Sequence, residues 1–291
     1  MDSSTLGSVR AASAASRAFE RLAHDRSAWL SAAAVLLFVL AGIFGPIVMG
    51  VNGPNTLSDA ALVGPGLGHP LGTDELGRDV LTLLVYGVRT SLVVGVLAAL
   101  LASLLGVLIG AVAGYVGGKI DTLVMCISEI FQVMPNFILA AVVVAMAGPG
   151  TLRIVLVIAL LSWPQVARIM RGEVMRVKEL EYVDASRCLG MKETSILAFE
   201  VVPNAVSPVI AVGTLIVGQA ILLESALSFF GLTPPDVPSW GLMLSSGQRF
   251  FYQAWWLSVF PGVFILATVL AFNFLGDAIG KAFNPRIQEK T

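Results

Sequence analysis

The sequence predicts an all-α polytopic membrane protein with six transmembrane helices, and three observations carry that expectation. Only 13% of the 291 residues are charged, against about 25% in soluble domains, and the mean hydropathy is +0.85. Residues 29–49 and 90–118 contain no Asp, Glu, Lys or Arg, and each run is long enough for the roughly 20 apolar residues that cross a bilayer. The basic residues are also spread unevenly between the apolar runs.

Apolar stretches between charges and turn formers place the spans at about 29–49, 91–114, 122–147, 152–170, 207–230 and 255–279. The first follows 28 largely polar residues and exceeds the roughly 7–15 residues of a signal-peptide core, so it is expected to remain as a helix. The tail before it, VRAASAASRAFERLAHDRSAW, reads as an amphipathic surface helix or a disordered segment. The second span carries Gly95, Ala99 and Ser103, then Gly106, Gly110 and Gly114, at four-residue spacing. Such rows lie on one helix face and let two backbones approach closely. The third span contains Glu129 and Pro135, which predicts a kink. The fourth ends where Arg168 and Arg171 arrive. The fifth mixes Gly213, Gly218, Ser225 and Ser228 with Gln219 and Glu224.

With the N-terminus inside, the cytoplasmic segments hold 14 of the 18 basic residues. Only Arg78, Arg89, Arg153 and Arg249 fall outside. This positive-inside bias predicts that both termini are cytoplasmic. Cys126 and Cys188 fall on a membrane helix and an inner loop, where they read as small apolar fillers. Two connections are long: an outer one over about 50–90 and an inner one over about 172–206. Loops of this length usually have a use.

Glu129 and Glu224 are the clearest ionisable groups at membrane depth, with Gln219 and Ser228 beside the latter in sequence. An intramembrane carboxylate must face the bundle interior, a partner or water. These side chains are therefore structural hydrogen-bonding groups or contacts for cargo. The inner loop reads EYVDASRCLGMKETSILAFEVVPNAVSPVI. Asp184 is expected to cap or begin a short helix, Ala185 and Ser186 to offer it a low surface, and Gly190 to stop it in a left-handed turn. A second helix is expected near Thr194, with Pro203 breaking the chain ahead of the fifth span. The order helix–Gly–helix–Pro describes a docking knob.

This loop resembles the Glu-Ala-Ala coupling loop of ATP-binding-cassette (ABC) importer permeases, matched here by Asp184-Ala185-Ser186, Gly190 and Pro203-Asn204. His69-Pro70-Leu71-Gly72-Thr73-Asp74-Glu75-Leu76-Gly77-Arg78-Asp79 is similar to the outer signature of the dipeptide/oligopeptide/nickel subgroup, specifically its "C" permease. Leu227–Leu232 with Pro238-Ser239-Trp240-Gly241, and Asn273–Asp277 followed by Asn284-Pro285-Arg286, resemble that subgroup's later motifs, with Asn284 where Asp is usual.

The resemblance implies a type I ABC-importer permease fold. Residues 1–28 would be a cytoplasmic tail, 29–87 the first span and outer loop, 88–279 a five-helix core containing coupling loop 172–206, and 280–291 a second tail. It implies that Tyr182, Asp184, Ala185, Ser186, Arg187, Gly190, Met191 and Pro203 serve ATPase coupling, and that His69, Gly72, Asp74, Gly77, Arg78, Asp79 and Trp240 form the outer signature. The implied partners are a homologous "B" permease, two ABC ATPases (identical or one of each of two kinds), an external substrate-binding protein and membrane lipid, with no nucleic acid.

The sequence contains no G-x-x-x-x-G-K-[ST] phosphate loop. The chain is therefore expected to be a transport subunit without catalytic residues, resident metal or cofactor, with ATP and Mg2+ bound by the partner ATPases. Its expected place is the bacterial plasma (inner) membrane. Peptides are favoured over nickel as cargo because no His or Cys cluster lies in the spans. An ion-coupled carrier relaying protons through Glu129 or Glu224 is disfavoured by the lack of inverted repeats or paired broken helices. A membrane enzyme is disfavoured because His24 and His69 fall on opposite sides.

Overall fold

The computed structural model describes residues 26–48, 53–54, 56–58 and 60–283. The N-terminal tail and the motif Asn284-Pro285-Arg286 lie outside the described residues. The main helices are α1 (Arg26–Val48), α2 (Val80–Val116), α3 (Gly118–Val133), α4 (Asn136–Ala147), α5 (Thr151–Val177), α6 (Glu181–Cys188), α7 (Ser207–Phe229), α8 (Trp240–Gln248) and α9 (Trp256–Phe283). Five of them (α1, α2, α5, α7 and α9) are long and apolar enough to cross a bilayer, and the pair α3–α4 supplies a sixth candidate span.

Three boundaries differ from expectation for identifiable reasons. The second span starts at Val80 rather than near 91, because Asp79 caps it: its carboxylate accepts from the Thr82 N–H at 2.9 Å. The resulting 37 residues make a rod about 55 Å long at 1.5 Å per residue. The third span is two helices bent by 89° rather than one kinked helix. Met134, ahead of Pro135, is extended (φ −79, ψ 137), as the proline ring demands of its predecessor. The fourth span continues past Arg168 and Arg171 to Val177. Arg171 does not end it, because its guanidinium pairs with Asp121 of α3, one arm at 2.6 Å.

The centre of the bundle is the seam between α2 and α5, and the small residues of α2 make it. A Cβ added to Gly106 would lie 2.4 Å from Val166 Cβ, one on Gly110 2.3 Å from the Ala167 carbonyl oxygen, and one on Gly114 2.7 Å from the Arg171 carbonyl oxygen. Gly95 serves α7 in the same way, its added Cβ 2.7 Å from Ile221 Cγ1. Close backbone approach of this kind replaces the hydrophobic drive that lipid removes. By contrast α1 sits at the periphery, burying only Ala28, Ser31 and Gly42.

Gly110→Val should therefore destabilise the chain by roughly 1–3 kcal/mol, the usual cost of overpacking a tight site. Gly172→Ala, where an added Cβ meets nothing within 4 Å, should leave stability unchanged. Thermal unfolding of the detergent-solubilised protein, followed by near-UV circular dichroism, measures both. Equal melting curves for the two variants would remove the seam from its central place.

Candidate functional site

Two ends of the bundle carry the motifs, joined by the long rod of α2. At the α6 end the chain leaves α5, turns, and forms an eight-residue helix. Leu180, not Asp184, occupies the N-cap, and Asp184 lies within the first turn beside Glu181. Its carboxylate accepts from Arg187 at 2.7 Å. Gly190 has the expected left-handed backbone (φ +78). Its N–H donates to the Arg187 carbonyl at 2.9 Å and the Met191 N–H to the Ser186 carbonyl at 3.2 Å, the double bond that closes a Schellman turn.

The two faces of α6 differ. Val183 and Ser186 are buried, and Ser186 donates to the Tyr182 carbonyl at 3.1 Å rather than offering surface. Tyr182 is half-buried and its hydroxyl donates to the Glu200 carbonyl at 3.3 Å. Exposed are Glu181, Asp184, Ala185, Cys188 and Leu189. Leu189, 75% exposed, is an apolar tip that motif reading passed over, although a large apolar residue directly before the stop glycine is a visible signal.

Beyond Gly190 the chain is helical from Glu193, near the expected Thr194, and Pro203 does not break it. Residues Ile196–Val201 widen into a π-helix and Val202–Ala205 return to α. A π-turn just ahead of proline accommodates the ring and the missing donor. The Glu200 carbonyl within this turn accepts from the Asn204 side chain at 2.6 Å as well as from Tyr182.

This module is bolted to the rod. Lys178 Nζ donates to the Gly114 carbonyl at 3.0 Å and the Tyr115 carbonyl at 3.5 Å, satisfying oxygens left open at the end of α2. The Tyr115 hydroxyl donates to Glu193, and Arg187 approaches Glu193 at 3.7 Å. Hydrogen bonding to Tyr115, and then to Asp184, pushes the Arg187 pKa above the ordinary arginine value, so Arg187 stays charged. Tyr115, Lys178 and Glu193 carry no motif, and only contact between distant segments reveals them.

At the opposite end the signature Gly72–Asp79 is a clasp. Asp74 is buried; its carboxylate accepts from the N–H groups of Leu76 (2.9 Å) and Arg78 (2.8 Å) and from Arg78 Nε (2.6 Å). His69 Nδ1 lies 3.0 Å from Asp79. Gly77 is left-handed (φ +78), and a Cβ there would sit 2.2 Å from the Ser58 carbonyl oxygen. Gly72 (φ +83) would place one 2.7 Å from Trp256 Nε1. Trp240 is fully buried and donates to the Leu84 carbonyl at 3.1 Å. Most of these polar groups are consumed internally.

Between the two ends lies Glu224, 1% exposed. Ser228 donates to one carboxylate oxygen at 2.6 Å and Ser91 of α2 to the other at 3.0 Å. The structure thus joins Glu224 to Ser228 and to Ser91, which sequence reading missed. It does not bring Glu129 or Gln219 to them, for both are exposed. Glu129 accordingly does not face the interior of this chain.

The profile of the binding-protein-dependent transport system inner membrane component family matches residues 106–289. This chain belongs to that family. It is 36% identical to the dipeptide transport system permease protein DppC of Alkalihalophilus pseudofirmus, across 93% of this chain and 90% of that one. It is 39% identical to the oligopeptide transport system permease protein OppC of Escherichia coli, across 91% and 89%. A chain of the MetNI methionine ABC transporter in an inward-facing conformation superposes with a TM-score of 0.57 at 18% identity, over 69% of this chain and 96% of that one. The fold is that of a type I ABC-importer permease in the inner membrane. Such a permease works with a partner permease and ATPase subunits.

Glu224→Gln should keep the fold of this permease, since Gln still accepts from Ser91 or Ser228. Glu224→Leu leaves both hydroxyls without an acceptor and should lower stability by roughly 1–3 kcal/mol. Melting of the solubilised protein distinguishes the two, and a Leu variant as stable as wild type would deny the carboxylate its structural role.

Proposed function

We propose that this chain is the "C"-type permease of a peptide importer, with α6 as the element that ATPase subunits grip from the cytoplasm. The single observation that carries this reading is the construction of α6: an exposed face ending in Leu189, stopped by left-handed Gly190 and bolted through Lys178 and Glu193 to the end of α2. A lever needs an exposed handle and a stiff root, and α6 has both. Closure of the ATPases on ATP would push α6, tilt α2 and α5 together along their glycine seam, and alternate access to a pathway shared with a homologous "B" permease. ATP and Mg2+ belong to the ATPases, which supply the hydrolysis; this chain transmits it.

Charge supports the orientation. Arg26, Lys119, Arg171, Arg176, Lys178, Arg187, Lys192 and Lys281 lie toward the α6 end, whereas Arg78, Arg89, Arg153 and Arg249 lie toward the clasp. The α6 end is therefore cytoplasmic. The clasp end then faces an external binding protein, with the Gly72–Asp79 fold holding the surface rather than touching the visitor. Glu129 and Gln219, polar and exposed within spans, are assigned to the wall facing the partner permease and the pathway, where water is available to them. Peptides are assigned as cargo because relatives named as dipeptide and oligopeptide permeases align over more than nine-tenths of the chain.

Gly190→Val forces a β-branched residue into the left-handed region at roughly 1–3 kcal/mol and should misdirect Leu189. In the reconstituted complex, peptide uptake and binding-protein-stimulated ATP hydrolysis should both fall at least several-fold, while membrane insertion persists. Wild-type rates in that variant would refute the lever. Orientation is checked separately in a chain lacking Cys126 and Cys188. Leu67→Cys should react with an impermeant thiol reagent on intact spheroplasts, and Thr194→Cys only after lysis. Labelling of Thr194→Cys in intact spheroplasts would invert the topology.

A further inference from the structure

Between α1 and the first half of α2 runs an apolar groove of about 720 Å³, well inside the roughly 300–1,000 Å³ of small-ligand sites. Val39, Ile43 and Ile47 line it from α1 and Val93 and Leu97 from α2, and one charged side chain, Arg89, stands among them. Gly42 holds the two helices together at that level: a Cβ on it would lie 3.2 Å from Val88 Cγ1 and 3.6 Å from Arg89 Cα. Ile43 is 57% exposed and Val93 and Leu97 are each 44% exposed, so no described residue fills the groove.

Arg89 is exposed and pairs with no carboxylate among the described residues. It is also the last charge before the uncharged run 90–118, on the outer half of both helices, within reach of the headgroups for a long side chain. A guanidinium at that depth reaches toward the headgroups and seeks a counter-charge. The abundant anion there is the phosphodiester of a lipid, whose oxygens match the arginine fork. An apolar partner helix would fill the trough but leave Arg89 without a counter-charge. A phospholipid satisfies both parts in the order the bilayer imposes, anion at the edge and chain running inward along α1 and α2.

We infer that the α1–α2 groove is a phospholipid site, with one acyl chain lying along Val39, Ile43, Val93 and Leu97 and the phosphodiester accepting hydrogen bonds from Arg89. The site fastens α1, which buries few residues of its own, to the rod that carries α6. It depends on neither the assigned cargo nor the assigned orientation.

The test uses the assembled transporter in nanodiscs of phosphatidylethanolamine and phosphatidylglycerol, with a tracer phospholipid bearing a diazirine in one acyl chain. After irradiation, adducts should concentrate on residues 39–47 and 92–97. Arg89→Leu should reduce them about fivefold, the factor equivalent to the roughly 1 kcal/mol that a basic residue contributes at a lipid surface. Arg89→Lys should retain most of the labelling. Val93→Trp, which fills the groove and leaves Arg89 in place, should abolish labelling there while the complex still elutes as one species and hydrolyses ATP. Adducts spread evenly over all lipid-facing helices, or unchanged in both Arg89→Leu and Val93→Trp, would overturn the site. So would a bifunctional maleimide bridge from Val93→Cys to the partner permease in native membranes, because a helix would then occupy the groove.

Discussion

The backbone contact between α2 and α5 is the constraint on which the rest of the molecule depends. Lipid tails are as apolar as leucine, so burying leucines between helices yields little inside a bilayer; close packing and polar contacts must serve instead. Gly106, Gly110 and Gly114 remove the side chains that would hold α5 away, leaving Val166, Ala167 and Arg171 directly on the α2 backbone. That contact sets the register of everything beyond it. Because Gly114 rests on Arg171, Lys178 two turns later reaches the Gly114 carbonyl, and Arg171 itself meets Asp121 on the helix that follows α2. The α6 module is thus placed by the seam as well as by its own loop.

The two ends of the rod apply one device to opposite purposes. Both use left-handed glycines to turn the chain sharply, Gly72 and Gly77 at the clasp and Gly190 after α6. At the clasp, the turns fold polar side chains inward: Asp74 is spent on Leu76 and Arg78, and Asp79 on capping α2. At α6 the turn leaves the neighbouring side chains outside, so that Asp184, Ala185 and Leu189 remain available. A signature motif can therefore fold its polar groups inward at one end and leave its side chains exposed at the other, and only burial distinguishes them.

How much of this was legible in the sequence follows from the range of each interaction. The six candidate spans and the small-residue face of α2 were legible, because hydropathy and four-residue spacing are local properties. Gly190 as a helix stop was legible for the same reason. Helix ends were less so. In sequence Asp79 reads as part of a loop motif, yet it is an N-cap, and Arg171 reads as the end of a span, yet its charge is answered by Asp121, 50 residues away. Pro203 reads as a break because a single proline removes one donor; the π-turn that absorbs it cannot be seen from residue types. Ser91, Tyr115, Lys178 and Glu193 were invisible, since each matters only through a partner from a distant segment. Glu129 and Glu224 looked equivalent as intramembrane carboxylates, and the structure separates them into one exposed and one held between two serines.

That separation bears on how an ATP-driven permease differs from an ion-coupled one. A carboxylate that carries protons must exchange its partners during the cycle and must meet water on each side in turn. Glu224 instead has both oxygens engaged by hydroxyls, one from its own helix and one from α2, at a site 1% exposed. Its bonds cross the α2–α7 contact that Gly95 also makes, where an added Cβ would lie 2.7 Å from Ile221. Moving the carboxylate would mean separating those helices. A group so placed fastens two spans into one body, and a body of fixed spans is what the lever proposed at α6 would need in order to transmit a push from one face of the membrane to the other.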